Sequence, residues 1–475
     1  MITSTTKGTF VAFVFFVAFV VSSSADVRLF DAVLKGDRKA VQQLLQNRVD
    51  VDAAQPDGST ALMLAADRND LEVADLLIRA SANVNAANEY GATALSVAAA
   101  SGNTALVTRL LGADADPNRA LVSGETPLMA AVDKGHIDVV RALVEHGANV
   151  NATESRGGQT ALMWAVAGKQ PEIVKLLVER GADARARSDG DFTPLLFAAQ
   201  QGDLESGRTL LQAGADVNDA RKTDRLTALM VAAASGHTEL SVLLMNSGAN
   251  PGLVDQSGYT ALHYAALDAG RAVLVKALLD HRANPNARTT RDTRANTTSG
   301  VSVKGATPLF LAAARGHVDA VRALVAGGAD PFITTDEGTA PLQVATWGGD
   351  PYFRDWTDEE KKNLLEVTRL LVGLGTDVNS AGEHGWTALH GAAYKGVDAV
   401  VRFLVERGAR TEVFDEYGQT PLSIANAVIT VKSKDAYYQS SRVVRTSTSE
   451  LLLQLGAKPL ADSGVEIVDR FYKQP

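Results

Sequence analysis

Apolar residues along this chain come in short bursts with helical spacing, separated by polar turns. In the segment from Ser123 to Ala152, Leu128, Ala131 and Val132 fall on one face of a first helix. Ile137, Val140, Leu143 and Val144 form the apolar stripe of a second. Thr126 stands where a helix N-cap is wanted, and Pro127 fills the first helical position, where a missing N–H costs nothing. Gly135 and Gly147 stand at the two helix ends, where a left-handed residue closes the last turn. Ala148 to Ala152 then leads into a turn. Helices this short are marginal alone, so each must bury its stripe against a neighbouring copy.

Such copies run nearly the whole length. The word Thr-Ala/Pro-Leu-x-x-Ala opens at Thr60, Thr93, Thr126, Thr160, Thr193, Thr227, Thr260, Thr307, Thr387 and Thr420, and a slipped copy reads Thr339-Ala340-Pro341-Leu342. From Thr60 to Thr260 the gaps are 33, 33, 34, 33, 34 and 33 residues. A fixed period of that size predicts a stacked array of small units, an architecture built to bind rather than to catalyse. The pattern resembles the ankyrin repeat. Gly124-Glu125-Thr126-Pro127-Leu128, Ala130-Ala131, Gly135-His136, Val139-Val140 and Gly147-Ala148-Asn149-Val150-Asn151 carry the likeness. Eleven units follow from Thr60 onward. A degenerate one, Leu29-Phe30-Asp31-Ala32 through Val51-Asp52-Ala53-Ala54, precedes them, so the likeness spans roughly 29–459. It departs where Pro is Ala (Thr60-Ala61, Thr93-Ala94) and where His is Met (Met63, Met129, Met163, Met230), units that lose a Thr–His hydrogen bond the family uses. The resemblance implies an all-α ankyrin-type solenoid of about twelve helix-turn-helix repeats that binds a protein through its concave face.

Chemistry has no comparable signature. His136, His237 and His317 occupy a Gly-His slot, His263 and His390 the slot after Thr-Ala-Leu, and His146 and His281 end second helices; His384 lies in a loop. None has metal-ligand spacing, and no phosphate loop or nucleophile elbow occurs. Asp114-Ala115-Asp116 resembles a fragment of a calcium loop without the remaining ligands. The chain is therefore expected to be non-enzymatic, with no catalytic, cofactor or metal residues.

Composition changes the picture in two ways. The N-terminus, with Lys7, twelve apolar residues from Phe10 to Val21, and Ser22-Ser23-Ser24-Ala25, reads as a secretory signal cleaved before Asp26. That run is short of the roughly 20 residues needed to span a bilayer. Zero cysteines exclude disulfides, zinc–thiolate sites and a lipidated Cys. Together these point to an exported, bacterial-type periplasmic or secreted protein, with an uncleaved anchor as the alternative. A net charge of −9, made more negative by loss of Lys7, gives no electrostatic footprint for nucleic acid.

Three interruptions break the period, near 288–304, 348–363 and 428–450, and a tail runs over 460–475. Trp347, Trp356 and Trp386 gather around the second. Trp356, with Tyr352 and Phe353, reads as local packing on that loop, and Trp164 as buried between units. Residues just before each Thr, and those ending the first helix, are expected to line the concave face. Counting from each Thr puts Trp347, Trp386, Tyr394 and Tyr417 there, joined by Tyr259, Phe192 and Tyr90. The first four should form one exposed patch, a composition typical of binding hot spots. The partner is a protein, not nucleic acid or membrane, and the chain is read as monomeric. Rival readings are a ligand- or cell-wall-fragment-binding protein using the inserted loops, and a passive spacer.

Overall fold

A computed structural model describes residues 27–292, 302–347, 356–428 and 444–460. The leader, the middles of the three interruptions and the end of the tail lie outside the described residues. The chain divides between Asn149 and Val150 into two compact units.

In the first unit α1 (Val27–Leu34) pairs with α2 (Arg38–Gln46) and α3 (Ala61–Asp67) with α4 (Leu71–Arg79). There α5 (Ala94–Ser101) pairs with α6 (Thr104–Leu111), and α7 (Pro127–Asp133) with α8 (Ile137–Glu145). The second unit continues with α9 (Ala161–Ala167) and α10 (Pro171–Glu179), α11 (Pro194–Gln201) and α12 (Leu204–Gln212), α13 (Ala228–Ser235) and α14 (Thr238–Asn246). Next come α15 (Ala261–Ala266) and α16 (Ala272–Asp280), then α17 (Pro308–Ala314) and α18 (Val318–Ala326). It ends with α19 (Pro341–Trp347) and α20 (Asp358–Gly373), α21 (Ala388–Lys395) and α22 (Asp398–Glu406), α23 (Pro421–Ala425) and α24 (Thr446–Gln454). The described residues thus hold twelve helix pairs, with isolated bridges but no sheet. The expected all-α repeat architecture is the observed one.

The repeated Thr does what an N-cap does. Its Oγ1 accepts the N–H of the third residue on, as in Thr126 with Met129 at 3.3 Å and Thr307 with Phe310 at 3.2 Å. Where that third residue is His, the bond is returned: His263 Nδ1 accepts the Thr260 N–H at 3.1 Å, and His390 Nδ1 that of Thr387 at 3.1 Å. The other nitrogen then carries the proton and donates onward, to the Ala306 carbonyl from His263 and to that of Gln419 from His390, both at 3.3 Å. Burial lowers both imidazoles to a pKa of about 4.

The slipped copy is a true exception. Helix α19 starts at Pro341, so Ala340 takes the cap position and has no hydroxyl to offer. Gln343 supplies the returned half of the cap: its Oε1 accepts the Ala340 N–H at 2.9 Å, while its Nε2 donates to the Ser380 carbonyl at 2.8 Å. Thr339, displaced by one residue, accepts the Glu383 N–H at 2.9 Å.

Each first helix buries its second, third, fifth and sixth residues after Thr, as Leu128, Met129, Ala131 and Val132 show. Of the predicted second-helix stripe Val140 and Leu143 are buried, joined by Val139, whereas Ile137 and Val144 are half-buried. The turn asparagines tie neighbouring pairs together. Asn118 donates to the Gly147 carbonyl at 3.1 Å, Asn151 to Gly181 at 3.0 Å, and Asn379 to Gly408 at 2.9 Å. Gly147 is left-handed at φ 88°, though Ser81, Asp114 and Arg282 hold the same slot with φ near 60–66°.

The interruptions are more ordered at their edges than their polarity suggests. Asp358, Glu359 and Glu360 are the first turn of α20, capped by Thr357, so the second interruption partly lengthens a helix. The first ends on buried Ser302 and Val303, and the Ser302 N–H reaches Glu383 Oε2 at 3.1 Å. The third yields to α24 at Thr446. Tyr352 and Phe353, and Lys432, Lys434, Tyr437, Tyr438 and Arg442, lie outside the described residues.

Candidate partner-binding surface

The first helices decide which aromatic rings reach solvent. Two residues before its cap each pair turns through a hairpin tip, and the residue directly before Thr points back into the stack. Trp386 sits there. Its ring lies 4.6 Å from Trp347 of the preceding pair and 5.8 Å from Tyr394 of its own helix, and its Nε1 donates to Asp415 of the following tip at 3.0 Å. Held from both neighbours, Trp386 and Trp347 are each only 6% exposed. The expectation that they stand open on the concave face is therefore corrected. Trp347, Trp386 and Tyr394 do gather, but with the two indoles in the core, while Tyr417 packs elsewhere. Tyr259, also directly before its Thr, is buried against His263 and Tyr264.

The other expected residues differ among themselves. Tyr394 and Tyr417 are half-buried; Tyr417 packs 5.5 Å from His384, whose imidazole also meets the Glu416 carboxylate. Phe192 is half-buried. Tyr90, in the first unit, is 55% exposed beside the tip residue Val122, whose N–H bonds to its carbonyl at 2.9 Å. Trp356 is half-buried, with the Lys395 ammonium 3.9 Å above its ring.

A second row escaped the sequence reading. The fourth residue after Thr is buried in some pairs, as in Leu64 and Ile424, and partly exposed in others. In the second unit this register holds Trp164, Phe197, Val231, Tyr264, Leu311, Gly391 and Ile424, of which Val231, Leu311, Gly391 and Ile424 are buried. Trp164, Phe197 and Tyr264 are partly exposed, so Trp164 is not sealed between units as expected. Two hairpin tips border the same face, since Phe192 lies 5.4 Å from Phe197 and Tyr259 5.6 Å from Tyr264. The Arg221 guanidinium stacks over Phe192 at 4.2 Å. Tyr264 donates its hydroxyl to Asp255 at 2.7 Å, and burial, reinforced by that carboxylate, raises its pKa. Reading the period at Thr plus four, rather than beside Thr, would have found this row.

Among the described residues no three His, Asp or Glu side chains lie together as a metal site, and no helix is long and apolar enough to cross a membrane.

Comparison with known proteins agrees with this architecture. The family model for ankyrin repeats in three copies matches residues 29–120, 95–188, 151–221, 195–289 and 360–429, and the single-repeat model matches 304–336. Ankyrin repeat and SOCS box protein 3 of Bos taurus is 35% identical over 125 residues, 26% of this chain and 21% of that protein. The putative E3 ubiquitin-protein ligase XBAT35 of Arabidopsis thaliana is 31% identical over 25% of this chain and 23% of its own length. Cyclin-dependent kinase 4 inhibitor B of Rattus norvegicus is 33% identical over 25% of this chain and 79% of that protein. The chain thus spans about a fifth of the length of the first two relatives. The ankyrin repeat domain of Bcl-3 aligns at 28% identity with a TM-score of 0.41, covering 44% of this chain and 95% of that one. With the family models matching well over half its length, the chain belongs to the ankyrin-repeat family.

Proposed function

We propose that this protein is a non-enzymatic interaction module that holds a protein partner on the face formed by its first helices and hairpin tips. The observation that carries the reading is the partly exposed aromatic row Trp164, Phe197 and Tyr264 on a rigid stack of capped helices. Large rings held at low conformational cost are the side chains from which binding hot spots are built. A relative named as a kinase inhibitor, matched over most of its own length, supports binding as the mode of action. No cofactor enters this account. Cross-linking the purified chain in an extract of its native compartment, followed by mass spectrometry, is expected to give a stoichiometric protein partner attached through that face. Recovery of the chain with a bound small molecule and no protein would favour the ligand-binding alternative.

We further propose export to the periplasm or medium, with cleavage between Ala25 and Asp26, on the strength of the Phe10 to Val21 run and the absence of cysteine. N-terminal sequencing of the native protein is expected to begin at Asp26; recovery of Met1 in a membrane fraction would establish the anchored form instead.

A further inference from the structure

The charges around the aromatic row point to the chemistry of what sits on it, if the row is a binding face as proposed above. On the four tips that border it (154–159, 188–192, 221–226 and 255–259) the exposed charged residues are Arg156, Lys222, Arg225 and a single carboxylate, Asp189. The other acids there are engaged internally. Asp191 pairs with Arg187 at 2.6 Å and accepts the Lys222 N–H. Asp224 lies 3.5 Å from Arg221, and Asp255 holds the Tyr264 hydroxyl. Glu154 is buried and caps its own turn, accepting the Gln159 N–H at 3.0 Å. A chain of net charge −9 therefore presents a locally cationic rim around these partly exposed rings. On the three last tips of the same unit (335–339, 382–386 and 415–419) the exposed charged residues are Asp336, which pairs with Arg288 at 2.9 Å and Lys304 at 3.2 Å, Glu337, and Glu416, which meets His384.

We infer that the face of α9, α11, α13 and α15 is a docking surface for an acidic protein segment, whose apolar side chains seat on Trp164, Phe197 and Tyr264 and whose carboxylates meet Arg156, Lys222 and Arg225. Opposite charge at the rim steers and selects the partner, while the rings supply most of the affinity. Basic segments are turned away here.

The test uses the full chain and three fluorescein-labelled peptides of about 20 residues with apolar positions at helical spacing. One carries Glu at every polar position, one carries Lys there, and one keeps Glu but has Ser for each apolar residue. In fluorescence polarisation the Glu peptide is expected to bind, at least about ten-fold tighter than either of the others. Phe197→Ser should weaken it about ten-fold or more, and the Lys222→Glu, Arg225→Glu pair should weaken it and flatten its salt dependence. The charge-reversed variant alters only exposed residues, so it keeps the test valid if Phe197→Ser unfolds. Equal or tighter binding of the Lys peptide, no binding of the Glu peptide, or binding untouched by both variants overturns the inference. A protein partner cross-linked only to other repeats would also overturn it while leaving the interaction-module reading intact.

Discussion

The surroundings of Trp386 and of Phe197 lie in one unit and are built from one repeat, yet their aromatic rings do opposite work. Around Trp386, rings from successive pairs meet each other, and a buried carboxylate, Asp415, takes the indole N–H. Burial raises the Asp415 pKa, against the backbone N–H of Gln419 and the indole, which hold it down. Around Phe197 the rings stand at the fourth position after Thr, touch the tips beside them and keep an open face. The tips differ in sign as well, acidic near Trp386 and cationic near Phe197. Aromatic content alone therefore does not mark a binding face. Register does so only together with what the adjoining pairs cover.

The sharpest way to break this comparison is Trp386→Ala. Loss of an indole packed on Trp347 and Tyr394 is expected to cost about 3–5 kcal/mol, read as a lowered urea midpoint. A melt unchanged within error would return Trp386 to the surface and erase the contrast.

Both regions also contain a buried neutral imidazole, which sharpens the comparison from another side. His390 lies beneath Trp386 and His263 beneath Tyr259, each with a pKa lowered from 6.5 to about 4 by burial. The unfolded chain binds protons that the folded one refuses, so this stability is full above pH 6.5 and lost as pH falls towards 4. Each histidine should contribute up to about 3 kcal/mol across that window. His263→Gln and His390→Gln should each flatten the pH dependence of the urea midpoint, and a profile as steep as that of the parent chain would deny that these groups are held neutral.

Backbone strain gives a smaller effect, independent of either aromatic region. At φ 88° with nothing within 4 Å of a built Cβ, Gly147→Val is strained by conformation and not by a clash. About 1–2 kcal/mol is expected in a circular-dichroism melt. Gly147→Asn should lose less, since Asp114 and Ser81 already occupy the slot. Identical melts for the two variants would show that φ is not the cause.

The smallest change belongs to the open row. Phe197→Ser removes a ring that is already partly in water, and about 1 kcal/mol of stability should go with it. A loss as large as that of Trp386→Ala would make Phe197 core and leave the unit without an exposed aromatic row.

Much of this was legible in the chain. The Thr caps, Pro starts, Gly ends and the count of helix pairs follow from spacing, because each depends on hydrogen bonds and apolar contacts within a few residues. The site was less legible. Trp347 and Trp386 were placed on the surface and Trp164 in the interior, and the structure buries the first two and leaves Trp164 partly exposed. The slip at Thr339-Ala340 was legible, but the part Gln343 plays there was not, since its amide reaches Ser380, 37 residues away.

What the sequence determined by itself is the repeat: local propensity, capping and period compel short helix pairs that must stack. Only the tertiary structure decided which rings that stacking covers. A residue before Thr is flanked by the pairs on both sides, and its exposure depends on side chains some 30 to 40 residues away, such as Trp347 and Asp415 around Trp386. A residue four beyond Thr is partly open in Trp164, Phe197 and Tyr264 but buried in Leu64, Leu311 and Ile424, so its exposure too is set by what packs beside it. Burial is a property of the neighbours, and a local pattern does not contain them.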